Sequence, residues 1–212
     1  VFIGPPGSGK GTQAARVAER LSIPHISTGN ILRAAVKADS PLGRAVAETL
    51  ASGALVSDDV ITELVRERLQ APDAVAGMIL DGFPRTEAQA RSLDTMRPPE
   101  SQLVVLIDVN DEALVRRLSS RRVCDACAIT QSVAPGDQAG HEMCPYCGGN
   151  LVRRVDDHPD TVRRRLATYA SVAAPVVEFY RRRHGFVTID GLRHADAVTA
   201  DILAFVRSRG GS

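Results

Sequence analysis

Short apolar runs alternate with stretches of helical period along most of the 212-residue chain. Val1-Phe2-Ile3 leads into a glycine-rich turn and then a helical pattern from Gln13 to Leu21. Ile23 to Ser27 reads as a short extended segment and Met78 to Asp81 as a buried strand ending in an acid; Leu103 to Val109 is the clearest strand and Phe186 to Ile189 the last. Between them, apolar positions three and four apart predict helices. These run over Ile31 to Leu50, broken in two at Asp39-Ser40-Pro41, then Ser57 to Gln70, Thr86 to Met96, Asp111 to Ser119, about Asp157 to Arg183, and Ala195 to Arg207. Ser40, Ser57 and Thr86 stand where a side-chain cap belongs, Pro41 suits a first helical position, and Gly53 and Gly185 read as stops. Alternating β and α elements with continuously apolar strands imply a parallel, doubly wound α/β sheet. Such sheets bind ligands beyond the C-terminal ends of their strands, which is where Asp81 would stand.

The turn after the first strand is Gly4-Pro5-Pro6-Gly7-Ser8-Gly9-Lys10-Gly11-Thr12. Glycines let successive backbone N–H groups turn around an anion, the following helix start adds partial positive charge, and Lys10 adds a full one. The spacing Gly4-x4-Gly9-Lys10 fits a phosphate-binding P-loop, but Gly11 stands where the general pattern has Ser or Thr, and the hydroxyl comes one residue later at Thr12. The competing account is a glycine-rich turn without a ligand. The lysine and the strand-turn-helix context argue against it.

The pattern changes between Arg121 and Asp157. Glycines, prolines and all four cysteines gather there without a sustained helical period, as in an inserted module. Cys124-x2-Cys127-x16-Cys144-x2-Cys147 is the spacing of two thiolate-presenting turns, and it suits structural Zn²⁺ with four sulfur ligands and no open coordination position. Disulfides are one alternative, and Cys144-Pro145-Tyr146-Cys147 alone resembles the redox motif of glutaredoxins. That motif begins a helix, whereas Gly148-Gly149 would end one. His141 and Glu142 are nearby alternative ligands, but four cysteines complete the shell. The module is too short for a packed core, so the metal would replace one.

Composition narrows the partners. The net charge is +1 and the hydrophobic content 44%, so neither nucleic acid nor a membrane surface is favoured, and a sizeable core is. Five Phe, three Tyr and no Trp leave little stacking surface for a zinc-ribbon nucleic-acid binder. No apolar run reaches the roughly 20 residues of a membrane span and no signal-peptide plan is visible, so a cytoplasmic location is expected. The chain opens inside its first strand without a Met, so a few preceding residues are expected. Only Lys10 and Lys37 are lysines among the 26 Lys and Arg. Arg33, Arg85, Arg117, Arg121, Arg122, Arg153, Arg154, Arg163, Arg164 and Arg165 are either solvated faces or a convergence on polyphosphate, which planar guanidinium groups grip well.

Gly4-x-Pro6-Gly7-x-Gly9-Lys10-Gly11-Thr12-Gln13, Ile26-Ser27-Thr28-Gly29, Leu32-Arg33, Asp81-Gly82-Phe83-Pro84-Arg85-Thr86 and Asp190-Gly191 resemble the adenylate kinase family in its long-lid, zinc-bearing bacterial form. The resemblance spans the chain in order and accounts for the Gly11-Thr12 variant. It implies a three-layer nucleoside monophosphate kinase fold with a five-stranded parallel sheet. The core would comprise residues 1–26, 57–119 and 158–212, with a helical monophosphate-binding insertion at 27–56 and a lid at 120–157. It implies reversible phosphoryl transfer from MgATP to AMP, giving two ADP, by a monomer. Gly7, Ser8, Gly9, Lys10, Gly11, Thr12, Arg117, Arg121, Thr130, Gln131 and Arg193 would match ATP contacts. Thr28, Arg33, Ala54, Leu55, Val56, Gly82, Phe83, Pro84, Arg85, Gln89, Arg154 and Arg165 would match the AMP pocket. Lys10, Arg85, Arg117, Arg121, Arg154 and Arg165 would carry the transfer, with Asp81 orienting the water shell of Mg²⁺.

Two residues depart from the family pattern: Asn30 stands where Asp is usual, near the expected magnesium waters, and Gln131 where an aromatic is common. A UMP/CMP kinase of the same fold is the nearest alternative, with Thr28, Gln89 and the long zinc-bearing lid favouring AMP. A P-loop regulatory ATPase is a further one, and no Asn-Lys-x-Asp guanine signature supports it.

Overall fold

The computed structural model describes residues 1–133 and 143–209, so His141 and Glu142 lie outside the described residues. In chain order the strands are β1 (Phe2–Ile3), β2 (His25–Ser27), β3 (Ile79–Asp81), β4 (Val104–Asp108), β5 (Arg121–Cys124), β6 (Thr130–Ser132), β7 (Leu151–Val152) and β8 (Phe186–Asp190). The helices are α1 (Lys10–Leu21), α2 (Thr28–Lys37), α3 (Pro41–Ser52), α4 (Asp58–Leu69), α5 (Glu87–Met96), α6 (Asp111–Ser120), α7 (Pro159–Arg181) and α8 (Ala195–Arg209).

Five strands form one parallel sheet in the order β2-β3-β1-β4-β8. Strand β1 is central, and Phe2 pairs with both Asp81 of β3 and Val105 of β4, so the glycine-rich turn leaves the sheet beside Asp81. Along β4 the side chains alternate. Val105 and Ile107 pack with Ala14 and Val17 of α1 and with Val198 and Ile202 of α8, while Val104 and Leu106 pack with Ala90 of α5 and with Val176 and Tyr180 of α7. Helices on both faces therefore follow from burying both sides of one apolar strand, each such side chain contributing about 1.5–3 kcal/mol. A third cluster ties the insertion to the sheet edge: Leu32 of α2 and Val46 of α3 meet Ile61 and Val65 of α4, with Ile26, Leu80 and Phe83.

The expected caps form at two of three positions. Ser40 accepts from the Gly43 N–H and Thr86 from the Gln89 N–H, but Ser57 takes the N-cap position of α4 without a side-chain hydrogen bond, and two acids at the helix start complement its dipole instead. Helix α1 begins at Lys10, a turn before its apolar period becomes visible. The cysteine segment is a three-stranded antiparallel sheet, β6-β5-β7, with Arg122 opposite Gln131 and Cys124 opposite Leu151. Among the described residues its buried cluster is Cys124, Cys144 and Leu151, with Ile129 against it.

Candidate active site

The turn between β1 and α1 is held in a shape that side chains would obstruct. Gly7 has φ +86°, and a Cβ there would stand 2.9 Å from Leu118 Cγ of α6; Gly9, at φ +98°, occupies the N-cap position of α1. The Ser8 N–H closes the turn onto the Pro5 carbonyl at 3.1 Å. Lys10 folds back over it, donating from Nζ to the carbonyls of Gly4 at 2.6 Å and Pro5 at 2.8 Å. Burial lowers Lys10 to about 7, with the Asp81 charge opposing and Arg85, Arg165 and Arg121 adding to the shift. An anion at this turn would favour the protonated amine.

Asp81 lies beside the turn at the C-terminal end of β3, its Oδ2 3.3 Å from His25 Nε2. Burial pushes its carboxyl upward, but the His25 contact and the charges of Lys10 and Arg85 outweigh that and hold it below its ordinary value. A Cβ on Gly11 would lie 3.4 Å from Asp81 Oδ2, so a larger side chain in place of Gly11 would grow toward that carboxylate.

Arginines from every part of the chain face the same space. Arg117 of α6 donates to the Ser8 carbonyl at 3.3 Å and the Gly191 carbonyl at 2.7 Å. Arg85 is braced on the Gly82 carbonyl at 2.9 Å and Arg33 on Asn30 Oδ1 at 2.6 Å. Arg121 and Arg165 converge on the fully buried carboxylate of Asp157, at 2.6 Å from Arg121 Nε and 3.0 Å from Arg165 Nη1, and Arg165 also reaches Asp156 Oδ2 at 3.0 Å. Arg154 touches Thr130 Oγ1 at 3.4 Å, and its buried Nε has no acceptor among the described residues. Arg193 pairs with Asp201. Burial lowers Arg33, Arg85 and Arg154 below the usual arginine, Arg154 to about 9, with neighbouring guanidinium groups contributing in each case. These cations are under-neutralised, and a polyanion is what would relieve them.

The space they face is one cavity of about 1080 Å³. That is at the top of the range for ligand pockets, roughly 300–1,000 Å³, and suits more than one drug-sized ligand. Gly7 to Thr12, Thr28, Arg33, Ala54 to Val56, Asp81, Gly82, Pro84, Arg85, Gln89, Arg117, Arg121, Thr130, Gln131, Arg154, Arg165 and Arg193 all line it. Phe83 does not: its side chain is completely buried in the cluster with Leu80 and Leu93. Gly82 and Pro84 on either side of Phe83 thus remain at the cavity while its ring anchors them from behind.

The four cysteine sulfurs lie within 4.8 Å of one another, with Cys124 Sγ 3.4 Å from Cys147 and Cys127 Sγ 3.7 Å from Cys144. A tetrahedron with Zn–S near 2.3 Å has sulfur edges of about 3.8 Å, so the donor set fits Zn²⁺. Each knuckle closes alike, the Ala128 N–H on the Cys124 carbonyl at 3.0 Å and the Gly148 N–H on the Cys144 carbonyl at 2.8 Å. Asp125 joins the knuckles by accepting from the Asn150 backbone and side-chain N–H groups, both at 2.9 Å.

The adenylate kinase family profile matches residues 2–185. The chain belongs to the adenylate kinase family. It is 46% identical over 213 residues to the adenylate kinase of Moorella thermoacetica, covering 99% of this chain and 97% of that one. The adenylate kinase of Kosmotoga olearia is 44% identical over 205 residues, 95% of each chain, and that of Symbiobacterium thermophilum 45% identical over 213 residues, 98% of each. The parallel sheet with its layers of helices is the nucleoside monophosphate kinase fold of this family.

Several residues that line this cavity or hold its lining side chains were not singled out by sequence patterns. Asp156 and Asp157 hold two of the arginines, and their signal was available as an acid pair soon after Arg153-Arg154. His25 touches Asp81 and Asp58 touches Gln89; neither lies in a motif, and only the fold brings them there. Tyr146 and Tyr169 also line the cavity, Tyr146 from the second knuckle and well exposed. The two departures are placed as well: Asn30 braces Arg33, and Gln131 lies on β6 at the cavity wall.

Proposed function

We propose that this protein catalyses reversible phosphoryl transfer from MgATP to AMP, giving two ADP, in this cavity. The observation that carries this reading is the meeting of Lys10, Asp81 and arginines of the core, the insertion and the cysteine segment around one space. A phosphate acceptor is already anionic, so no general base is needed, and none of the five histidines requires a catalytic role. The difficulty is to bring two polyanions together, and Lys10, Arg85, Arg117, Arg121, Arg154 and Arg165 offset that repulsion and stabilise the loose transition state. Gly7 to Thr12, Thr130, Gln131 and Arg193 serve ATP; Thr28, Arg33, Ala54 to Val56, Gly82, Pro84, Arg85 and Gln89 serve AMP.

Asp81 is the carboxylate that would orient Mg²⁺ waters, and the ion supplies charge neutralisation between phosphates when bound. Cys124, Cys127, Cys144 and Cys147 would hold Zn²⁺ as a structural ion that gives the lid its shape. Residues 27–56 and 120–157 act as flaps over the core, with hinges near Ser119-Ser120 and Asp157-His158, and closing them keeps water from the transferring group. The enzyme is proposed to work as a cytoplasmic monomer; no helix of the described residues is long and apolar enough to cross a membrane.

The deciding experiment measures ADP formation from MgATP with and without AMP, and with UMP, CMP and GMP as competing acceptors. AMP-dependent ADP formation is expected. ATP loss that is robust without AMP and not stimulated by it would overturn the reading.

A further inference from the structure

Gln89 is tethered from both ends. Its Nε2 donates to Asp58 Oδ1 at 2.8 Å, and its Oε1 accepts from the Arg85 backbone N–H at 2.8 Å. The other oxygen of Asp58 accepts from Thr86 Oγ1 at 2.6 Å, and that hydroxyl oxygen caps α5 by accepting from the Gln89 N–H at 3.2 Å. A carboxylate only accepts and a backbone N–H only donates, so the two partners leave the amide one orientation. A primary amide offers two N–H donors and two acceptor lone pairs. After both tethers, Gln89 keeps one of each. It is 3% exposed and lines the cavity, so these remaining positions belong to whatever sits against it.

We propose that Asp58 is a positioning residue for choice of the acceptor base: it locks the Gln89 amide against lactam edges and in favour of amino edges. The inference rests on the reading that a nucleoside monophosphate occupies this part of the cavity with its base against Gln89. An adenine edge offers an exocyclic N–H beside an unprotonated ring nitrogen, which matches one acceptor and one donor side by side. A hypoxanthine edge offers a carbonyl beside a ring N–H, the reverse. To pair with it the amide must turn over. That would set Oε1 against the Asp58 carboxylate and the NH₂ group against the Arg85 N–H, losing two hydrogen bonds and creating two repulsive contacts. Asp58 itself need not touch the nucleotide. Its effect passes through the orientation of another side chain, from a helix, α4, packed against the sheet edge.

The test compares kcat/KM for AMP, deoxy-AMP and IMP in the wild-type enzyme and in Asp58→Ala and Asp58→Asn. Deoxy-AMP keeps the base edge and reports general damage. In Asp58→Ala the IMP/AMP ratio is expected to rise about tenfold or more, because one of the two contacts that oppose the inverted amide is gone and only the Arg85 N–H remains. The deoxy-AMP/AMP ratio should stay within about twofold of wild type, since its base edge still pairs with the same amide. Asp58→Asn should fall between wild type and Asp58→Ala, since one oxygen can still accept from Gln89 while the new NH₂ faces Thr86. A purely structural role would lower all three substrates in proportion. An unchanged IMP/AMP ratio in a variant that still phosphorylates AMP would overturn the proposal; where Asp58→Ala does not fold, an unchanged ratio in Asp58→Asn overturns it equally. A wild-type enzyme without AMP-dependent activity would overturn the acceptor reading itself, a distinct result seen before any variant is made.

Discussion

The phosphate loop and the cysteine lid place cations around the same cavity by opposite means. Lys10 is held by backbone carbonyls of a turn backed by α6, whose Leu118 side chain fills the space a Cβ on Gly7 would take. Arg121 and Arg165 are held by Asp157 at the base of the lid, and among the described residues the lid's own buried cluster is Cys124, Cys144 and Leu151. A shape fixed by a large apolar core persists whether or not ligand is present. One that depends on four sulfurs and a few carboxylate contacts can be lost or rebuilt locally, which suits the closing motion proposed for it.

The largest effect should come from the loop. Lys10→Met keeps the length and apolar stem but removes the charge, and kcat is expected to fall by about 10³-fold or more. Thermal stability should change little or rise, because a buried ammonium costs desolvation that a thioether does not. Steady-state kinetics and a melting curve together check this. A loss of activity below tenfold would mean that the arginines alone carry the phosphate, and that the rigidly held cation of the loop matters no more than those of the lid.

Next is the lid. Replacing Cys144 with Ala, or removing the Zn²⁺ proposed at the four cysteines with a chelator, should lower turnover by roughly 10- to 100-fold while leaving the parallel sheet folded. Hydrogen exchange separates the two regions: amides of β5, β6 and β7 should lose protection while those of β1 and β4 keep theirs. Protection lost equally in both would show that the lid and core fold as one unit.

A third test uses the Lys10 proton. Burial places it near 7 in the nucleotide-free site, below its ordinary value, so at pH 8 the amine is largely neutral. A bound polyphosphate favours the ammonium. Binding at pH 8 should therefore take up as much as about one proton, and affinity should weaken as pH rises above about 7. The same shift makes the folded state relatively less stable below pH 7, a penalty relieved as pH rises from about 7 toward 10.5. Calorimetry of MgATP binding in two buffers of different ionisation enthalpy measures the uptake, and Lys10→Met should abolish it. Equal apparent enthalpies in both buffers for the wild type would contradict it.

These features differ in how plainly the sequence carried them. The core was legible because β4 must bury both faces, so Val104 to Ile107 read as a continuous apolar run, and because Gly7, Gly9 and Lys10 sit at a spacing with one physical use. The cysteine spacing likewise forecast the sulfur cluster. The lid strands were not legible: Arg121–Cys124, Thr130–Ser132 and Leu151–Val152 are too short and too polar to show alternation. Side chains that act by holding others were hidden for a different reason. Asp58 carries the local signal of a helix start, and Asp157 that of a helix boundary; only the packing of distant elements turns the first toward Gln89 and the second toward Arg121. Phe83 shows the reverse, a motif residue whose ring serves the core rather than the cavity.

The smallest predicted effect lies within the lid, between its two knuckles. Gly148 follows the second cysteine of its pair at φ +73°, where a glycine is at ease; Ala128 takes the equivalent place in the first knuckle at φ +59°. Both make the same backbone hydrogen bond, so the geometry is required in each and only one residue suits it. An alanine in the left-handed region costs about 1–2 kcal/mol, part of which a glycine returns through the entropy of the unfolded chain. Ala128→Gly should thus stabilise the lid by roughly 0.5 kcal/mol, and Gly148→Ala should destabilise it by about 1 kcal/mol. Ala128 also lines the cavity, so the comparison belongs in nucleotide-free protein, read as the rate of metal loss to a chelator and as exchange of the amides from Cys127 to Thr130. Melting of the core should not move in either variant. If Ala128→Gly instead sped metal loss, the methyl group would be packing the knuckle more than its backbone strains it, and the lid would owe more to apolar contact than its small buried cluster suggests.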